Sequence, residues 1–174
     1  MSGNYILTTG ALMLLGFFIL TNNTVITRNA LLEQETSYSL TAIALAQSLI
    51  EEVKMKSFDE ATISTAISST ALLTSPVLLG TDGGFEVFRS PDTETGGIFR
   101  STTIYDDVDD YNNYRRTVST PTAGNFTVSS TVTYVDINNP SSVSAAQTWA
   151  KKITVTVTNT FMPDFVSLEY VFAY

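Results

Sequence analysis

Asp106, Asp107, Asp109 and Asp110 crowd into five consecutive positions and form the one group whose spacing suits a hard cation. Oxygen donors one to four residues apart on a loop match Ca²⁺, which takes six to eight such ligands. The EF-hand requirements of a glycine at the sixth place and a glutamate at the twelfth are unmet. The competing reading is a solvated acidic turn neutralised by Arg115 and Arg116. Paired carboxylates also hydrolyse glycosides when they converge across a cleft. Nothing in this spacing makes them converge, and no aromatic-lined substrate pattern flanks them. The chain has no histidine and no cysteine, which removes the usual general base, the commonest haem ligand, disulfides and thiolate-bound metals. We expect no enzyme, and no cofactor beyond Ca²⁺ at those four aspartates.

Three further features bear on surface chemistry. Asn22-Asn23-Thr24 and Asn125-Phe126-Thr127 match the N-glycosylation acceptor pattern, which arises often by chance in threonine-rich chains. Tyr111 and Tyr114 read as surface aromatics, serving adhesion or lateral contact, or capping a sheet edge. Nine basic against seventeen acidic residues leave a net charge of −8, which argues against a nucleic-acid partner. Serine and threonine are dense in 57–75 and 117–133, a composition common outside the cell.

These groups must be held by two very different regions. No charged side chain occurs before Arg28, and Ile6 to Leu20 is almost wholly apolar. The apolar run passes without a proline into an amphipathic pattern from about Arg28 to Phe58. Ala42, Ala46, Leu49 and Val53 follow 4-3-4 spacing, Ile43 and Ile50 widen the same face, and Glu33, Glu35, Glu51, Glu52, Lys54 and Lys56 occupy the other side. Thr21-Asn22-Asn23-Thr24 is the one place where a local unwinding is expected. A helix over this whole span is roughly 80 Å long, more than a domain of about 100 residues can cover, so lipid or sister chains must enclose it. Thr8, Thr9, Gly10 and Gly16 make it a poor simple anchor, although its length suffices to span a bilayer. A basic n-region of the kind that opens a signal peptide is missing from Met1–Tyr5.

The remainder reads as a β domain. Asp59–Thr74 is a small-residue connector, or else a short helix, and Pro76, Gly80, Gly83 and Gly84 punctuate a loop. Phe85–Phe88 and Ile98–Tyr105 are expected short strands. Clear alternation follows at Phe126, Val128, Val132 and Tyr134, then at Ile153, Val155 and Val157, and finally at Val166, Leu168, Tyr170 and Phe172. Three such strands make an antiparallel meander whose apolar face needs a cover, and Ala42, Ile43, Ala46, Leu49, Ile50 and Val53 provide one. The expected fold is α+β, a long N-terminal helix on an antiparallel sheet, with residues 1–58 as helix (1–27 hydrophobic, 28–58 amphipathic) and 59–174 as the globular part.

A greasy-then-amphipathic helix, a variable loop and an antiparallel sheet together resemble type IV pilins and the pseudopilins of type II secretion. Ala42-Ile43-Ala44-Leu45-Ala46-Gln47-Ser48-Leu49-Ile50-Glu51-Glu52-Val53 with Lys56-Ser57-Phe58-Asp59 looks like the helix end of minor pilins. The stretch from Asp106 to Asn112 is similar to an acidic, tyrosine-containing segment of the same family. The resemblance implies a structural subunit of an extracellular helical filament on the cell surface, held in the cytoplasmic membrane before assembly. Its partners are then copies of itself, that membrane and the filament assembly machinery. Adhesion, motility, DNA uptake and secretion are all served by such filaments. A minor pseudopilin of a secretion system, or a monomeric membrane-anchored binding module, are the alternative readings. The family's basic leader and cleavage motif are not seen, and its docking glutamate is replaced by Tyr5, or by Thr8 if cleavage follows Gly3. Docking is therefore expected to rest on apolar packing by Ile6, Leu7, Leu12, Leu14, Leu15, Phe17, Phe18, Ile19 and Leu20, with Gly10, Ala11 and Gly16 allowing close approach.

Overall fold

The computed structural model describes residues 2–174. Met1, where the apolar run was taken to begin, lies outside the described residues. A single helix, α1, runs Ser2–Val53, and the chain divides into two compact units, one up to Tyr38 and one of Ser39–Tyr174.

In the first unit every described side chain from Gly3 to Ser37 is exposed, apolar residues included. Helix continues through Thr21-Asn22-Asn23-Thr24, where unwinding was expected. The hydroxyls explain it. Thr21 Oγ1 donates to the Phe17 carbonyl at 2.8 Å, Thr24 to Leu20 at 2.9 Å and Thr27 to Asn23 at 2.9 Å. Thr8 and Thr9 bend back on Asn4 and Tyr5 in the same way. A threonine whose hydroxyl is satisfied four residues back competes less with the helix and shows less polarity outside.

In the second unit the last part of α1 buries Ala42, Ala46, Leu49, Ile50 and Val53, with Ile43 half-buried. The spacing of these residues puts them on one helical stripe. The sheet has six strands: β1 (Asp92–Thr93), β2 (Arg115–Thr120), β3 (Gly124–Asp136), β4 (Asn139–Val143), β5 (Ala150–Asn159) and β6 (Val166–Ala173). Its order is β1-β2-β3-β5-β6, with β4 paired to the far end of β3. Every pairing is antiparallel except the parallel β1–β2 contact. The architecture is α+β.

The three alternating runs are strands, and one continuous apolar face follows from their register. Val128 stands across from Val157, Ser130 from Val155, Val132 from Ile153 and Tyr134 from Lys151. All eight are buried. The face that carries Ile153, Val155 and Val157 therefore also carries a lysine.

Elsewhere the structure departs from expectation. Phe85–Phe88 is not a strand: it follows a turn in which Gly83 and Gly84 take φ of 99° and 63°, and Phe85 is 91% exposed. Ile98–Tyr105 holds a short helix, α2 (Arg100–Ile104), instead of a strand. β2 and β4 were not foreseen because neither alternates apolar with polar residues. β4 also interrupts the expected meander between β3 and β5. The helix α1 closes at Val53 and not near Phe58, tightening through Met55 N to Glu52 O and Lys56 N to Val53 O. Ser57 then exchanges backbone bonds with the acidic stretch, its N–H donating to Asp106 O at 2.9 Å and its carbonyl accepting from Val108 N at 3.0 Å. Phe58 and Asp59 are drawn inward by that bridge. Residues 59–74 form two 3₁₀ turns, Glu60–Thr62 and Thr70–Leu72, capped by Asp59 and Ser69.

Candidate functional site

Two kinds of surface stand out, one greasy and outside, the other polar and inside. The outside one is the helix of the first unit. Phe17 is 71% exposed and Phe18 65%, and the 18-residue apolar window that makes α1 long and greasy enough to cross a membrane has none of its surface buried. Ile6, Leu7, Leu12, Leu14, Leu15, Ile19 and Leu20 are exposed with them, as are Gly10, Ala11 and Gly16. A methyl group added at Gly10 or Gly16 would meet nothing. Glycine at these positions therefore answers no packing need within the described residues.

The acidic stretch lies inside the second unit. A 3₁₀ turn, Asp109–Tyr111, draws Asp107, Asp109 and Asp110 into the interior while Asp106 stays exposed. Asp107 Oδ1 caps that turn, accepting from Asp109 N at 2.7 Å and Asp110 N at 3.1 Å. Asp110 Oδ2 accepts from Asp106 N at 3.1 Å. Asp109 Oδ1 accepts from Lys151 Nζ. Of the four nominated aspartates, only Asp106 and Asp110 approach as a possible cation cage, joined by Glu86, with carboxylate oxygens within 4.8 Å of one another. Three single carboxylates supply fewer than half the donors Ca²⁺ takes.

Nor do the arginines neutralise this stretch: its cation is Lys151. Lys151 Nζ donates to Phe58 O at 2.8 Å and Asp59 Oδ2 at 2.7 Å, and to Asp109. Its three protons are thereby used. Burial pushes Asp107 up to about 8, helped by the charge of Asp109. Burial likewise raises Asp110 to about 8, with Asp107 adding to it, and Asp109 to about 7 against the pull of Lys151. Burial acts on Asp59 too, but the Lys151 hydrogen bond and charge, with the Thr74 and Ala61 N–H groups, outweigh it and leave Asp59 below its ordinary range.

Arg116 belongs to a second cluster. Its Nη1 donates to Glu52 Oε2 at 2.7 Å, and both residues are buried. Glu52 Oε1 accepts from Tyr111 Oη at 2.9 Å and from Ser101 Oγ at 2.8 Å. Tyr114 Oη donates to Asp92 Oδ2 at 3.0 Å. Tyr111 and Tyr114 are thus buried, not surface aromatics as their sequence suggested, and they meet edge-to-face with Tyr105 at 5.0 and 5.6 Å. Burial raises all three phenols. Glu52 ties the end of α1 to α2, β2 and the acidic turn.

The acceptor pattern at Asn22 lies on exposed helix with Thr24 already bonded. That at Asn125 opens β3, where Asn125 is exposed and its carbonyl accepts from Asn159.

No known protein family, curated protein or solved structure matches the chain. What the fold itself defines is a class: a helix with an uncovered apolar surface continuing into a helix-on-sheet unit, an arrangement compatible with a pilin-like fold.

Proposed function

We propose that the chain is a structural subunit of an extracellular, pilus-like helical filament, assembled by packing of its N-terminal helices. One observation carries this reading: the apolar surface from Tyr5 to Leu32 is uncovered on every side. Such a surface is stable in lipid or against other protein, not in water. Before assembly the helix waits in the cytoplasmic membrane, and in the filament sister helices surround it. Exchanging lipid for protein gains little hydrophobic energy, so close fit has to hold the bundle. The open space beside Gly10 and Gly16 is where a neighbour's backbone comes near. The back-bonded threonines give the same segment few free donors to offend either environment. A contact between identical subunits that does not close on itself makes a filament. The chain's role is assembly and not catalysis, and an assembly machinery extrudes it to the cell surface.

The test is negative-stain microscopy of material sheared from cells, with mass spectrometry of the N-terminal peptide. Fibres built mainly of this chain are the expected result. Fibres in which it is a trace component would make it a minor pseudopilin. Recovery in membranes alone would overturn the reading in favour of an anchored binding module.

A further inference from the structure

The cluster around Lys151 has the parts of an amide-forming site. An amine, a carboxyl and a second carboxylate meet where water is excluded: Lys151 and Asp59 are fully buried and Asp109 is 2% exposed. The rings of Phe58 and Tyr134 lie 4.7 and 5.1 Å from Nζ. We propose that Lys151 and Asp109 condense to an intramolecular isopeptide bond, with Asp59 as the base that moves the protons.

The two carboxylates differ in a way that assigns their roles. Asp59 is saturated with donors. Its Oδ1 accepts from Ala61 N at 3.1 Å, and its Oδ2 from Thr74 N at 3.0 Å, Tyr134 Oη at 3.1 Å and Lys151 Nζ at 2.7 Å. So many donors hold it as a fixed anion, a poor target for an amine and a ready proton acceptor. Asp109 is the opposite. Its Oδ1 meets Lys151, and its Oδ2, though buried, has no hydrogen-bond partner among the described residues. An oxygen left bare in a dry site disfavours the anion and leaves a neutral carboxyl whose carbon an amine can attack.

The step balances without any co-reactant. Asp59 takes one Nζ proton, and the lone pair so freed forms the Nζ–Cγ bond to the Asp109 carboxyl. A second Nζ proton passes by way of Asp59 to the Asp109 hydroxyl, which leaves as water when its bond to Cγ breaks. The third proton stays on the amide nitrogen, and one proton remains on Asp59. Nothing is oxidised or reduced. Condensation is unfavourable between free groups in water, but groups held in reacting geometry act at effective molarities of about 10⁵–10⁸ M, and an apolar pocket gives the water no place to stay. A desolvated lysine is also the more nucleophilic one. The bond closes a loop across a sequence separation of 42 residues, joining β5 to the acidic turn in a chain that has no cysteine to do so.

The test is a tryptic peptide map of the full chain purified in detergent. Expected is a branched species joining the peptides that contain Asp109 and Lys151, one water lighter than their sum, with no cleavage after Lys151. D59N keeps both reacting groups and should yield unlinked peptides from protein whose circular dichroism shows it folded. D109N, which presents an amide in place of the acid, should lose ammonia instead of water. Folded wild-type protein with unlinked peptides would overturn the proposal, as would a link mapped to Asp59 or one that persists in D59N. The map reads covalent chemistry alone, so its outcome is independent of whether filaments form.

Discussion

Glu52 shows how a single residue can hold several elements. It accepts from Arg116, Tyr111 and Ser101 while almost fully buried. Removing one partner of a buried ion pair leaves the other charge stranded, a loss of about 3–5 kcal/mol. Arg116→Ala should therefore lower the unfolding free energy by that amount in denaturant titrations, whereas Arg115→Ala, at an exposed neighbour on the same strand, should change it little. The acidic turn makes a prediction of opposite character. Asp107 and Asp110 each rise from an ordinary 3.8 to about 8, so the folded state holds protons that the unfolded chain has released. Their contribution to stability is fully present below about pH 4 and is lost as pH climbs toward 8. Asp59, held low, acts the other way and weakens the fold only in strong acid. Melting temperature should fall between pH 5 and pH 9, and Asp110→Asn should flatten that fall. An equally steep decline in the variant would show that the protons reside elsewhere.

At the scale of elements, α1 is one helix with two environments, and like residues on it should behave unlike. Leu49 is fully buried and Leu12 is 67% exposed. Leu49→Ala should cost about 2–5 kcal/mol of unfolding free energy, while Leu12→Ala should leave the stability of the sheet unit unchanged. Both segments were legible in the sequence because a helical stripe and a period-2 strand each leave a periodic trace, as Ala42–Val53 and Phe126–Tyr134 do. β2 left none, since the residue it buries is Arg116, whose reason for burial is Glu52, 64 positions away in the chain. The same distance effect hid the acidic turn's real partner. Composition pointed to the adjacent arginines, but strand register, not proximity along the chain, puts Lys151 across from Tyr134 and within reach of Asp59 and Asp109. Tyr111 and Tyr114 misled for a related reason: amid charged neighbours they look like surface residues until Glu52 and Asp92 appear as acceptors for their hydroxyls.

For the whole molecule, greasiness and charge are kept apart. Before Ser39 the only charged residues are Arg28, Glu33 and Glu35; nearly all of the −8 net charge sits on the unit that follows. That unit has its own helix segment, sheet and both buried polar clusters, so it holds what it needs to fold, and its like charge opposes self-association. Residues 39–174 produced alone should then be folded, monomeric and soluble without detergent, as judged by sedimentation and circular dichroism. The full chain should partition into membranes or fibres under the same conditions. Between those states the decisive variants are Gly10→Leu and Gly16→Leu. Neither position has a neighbour within the described residues for the new side chain to strike, so membrane insertion and the melting of the sheet unit should be unaffected. Only a partner helix can feel the added bulk, and fibre yield should drop sharply in both. Normal fibres from the two leucine variants would mean that sister helices do not meet along this surface, and fibres from residues 39–174 alone would mean that the sheet units, and not the helices, drive assembly.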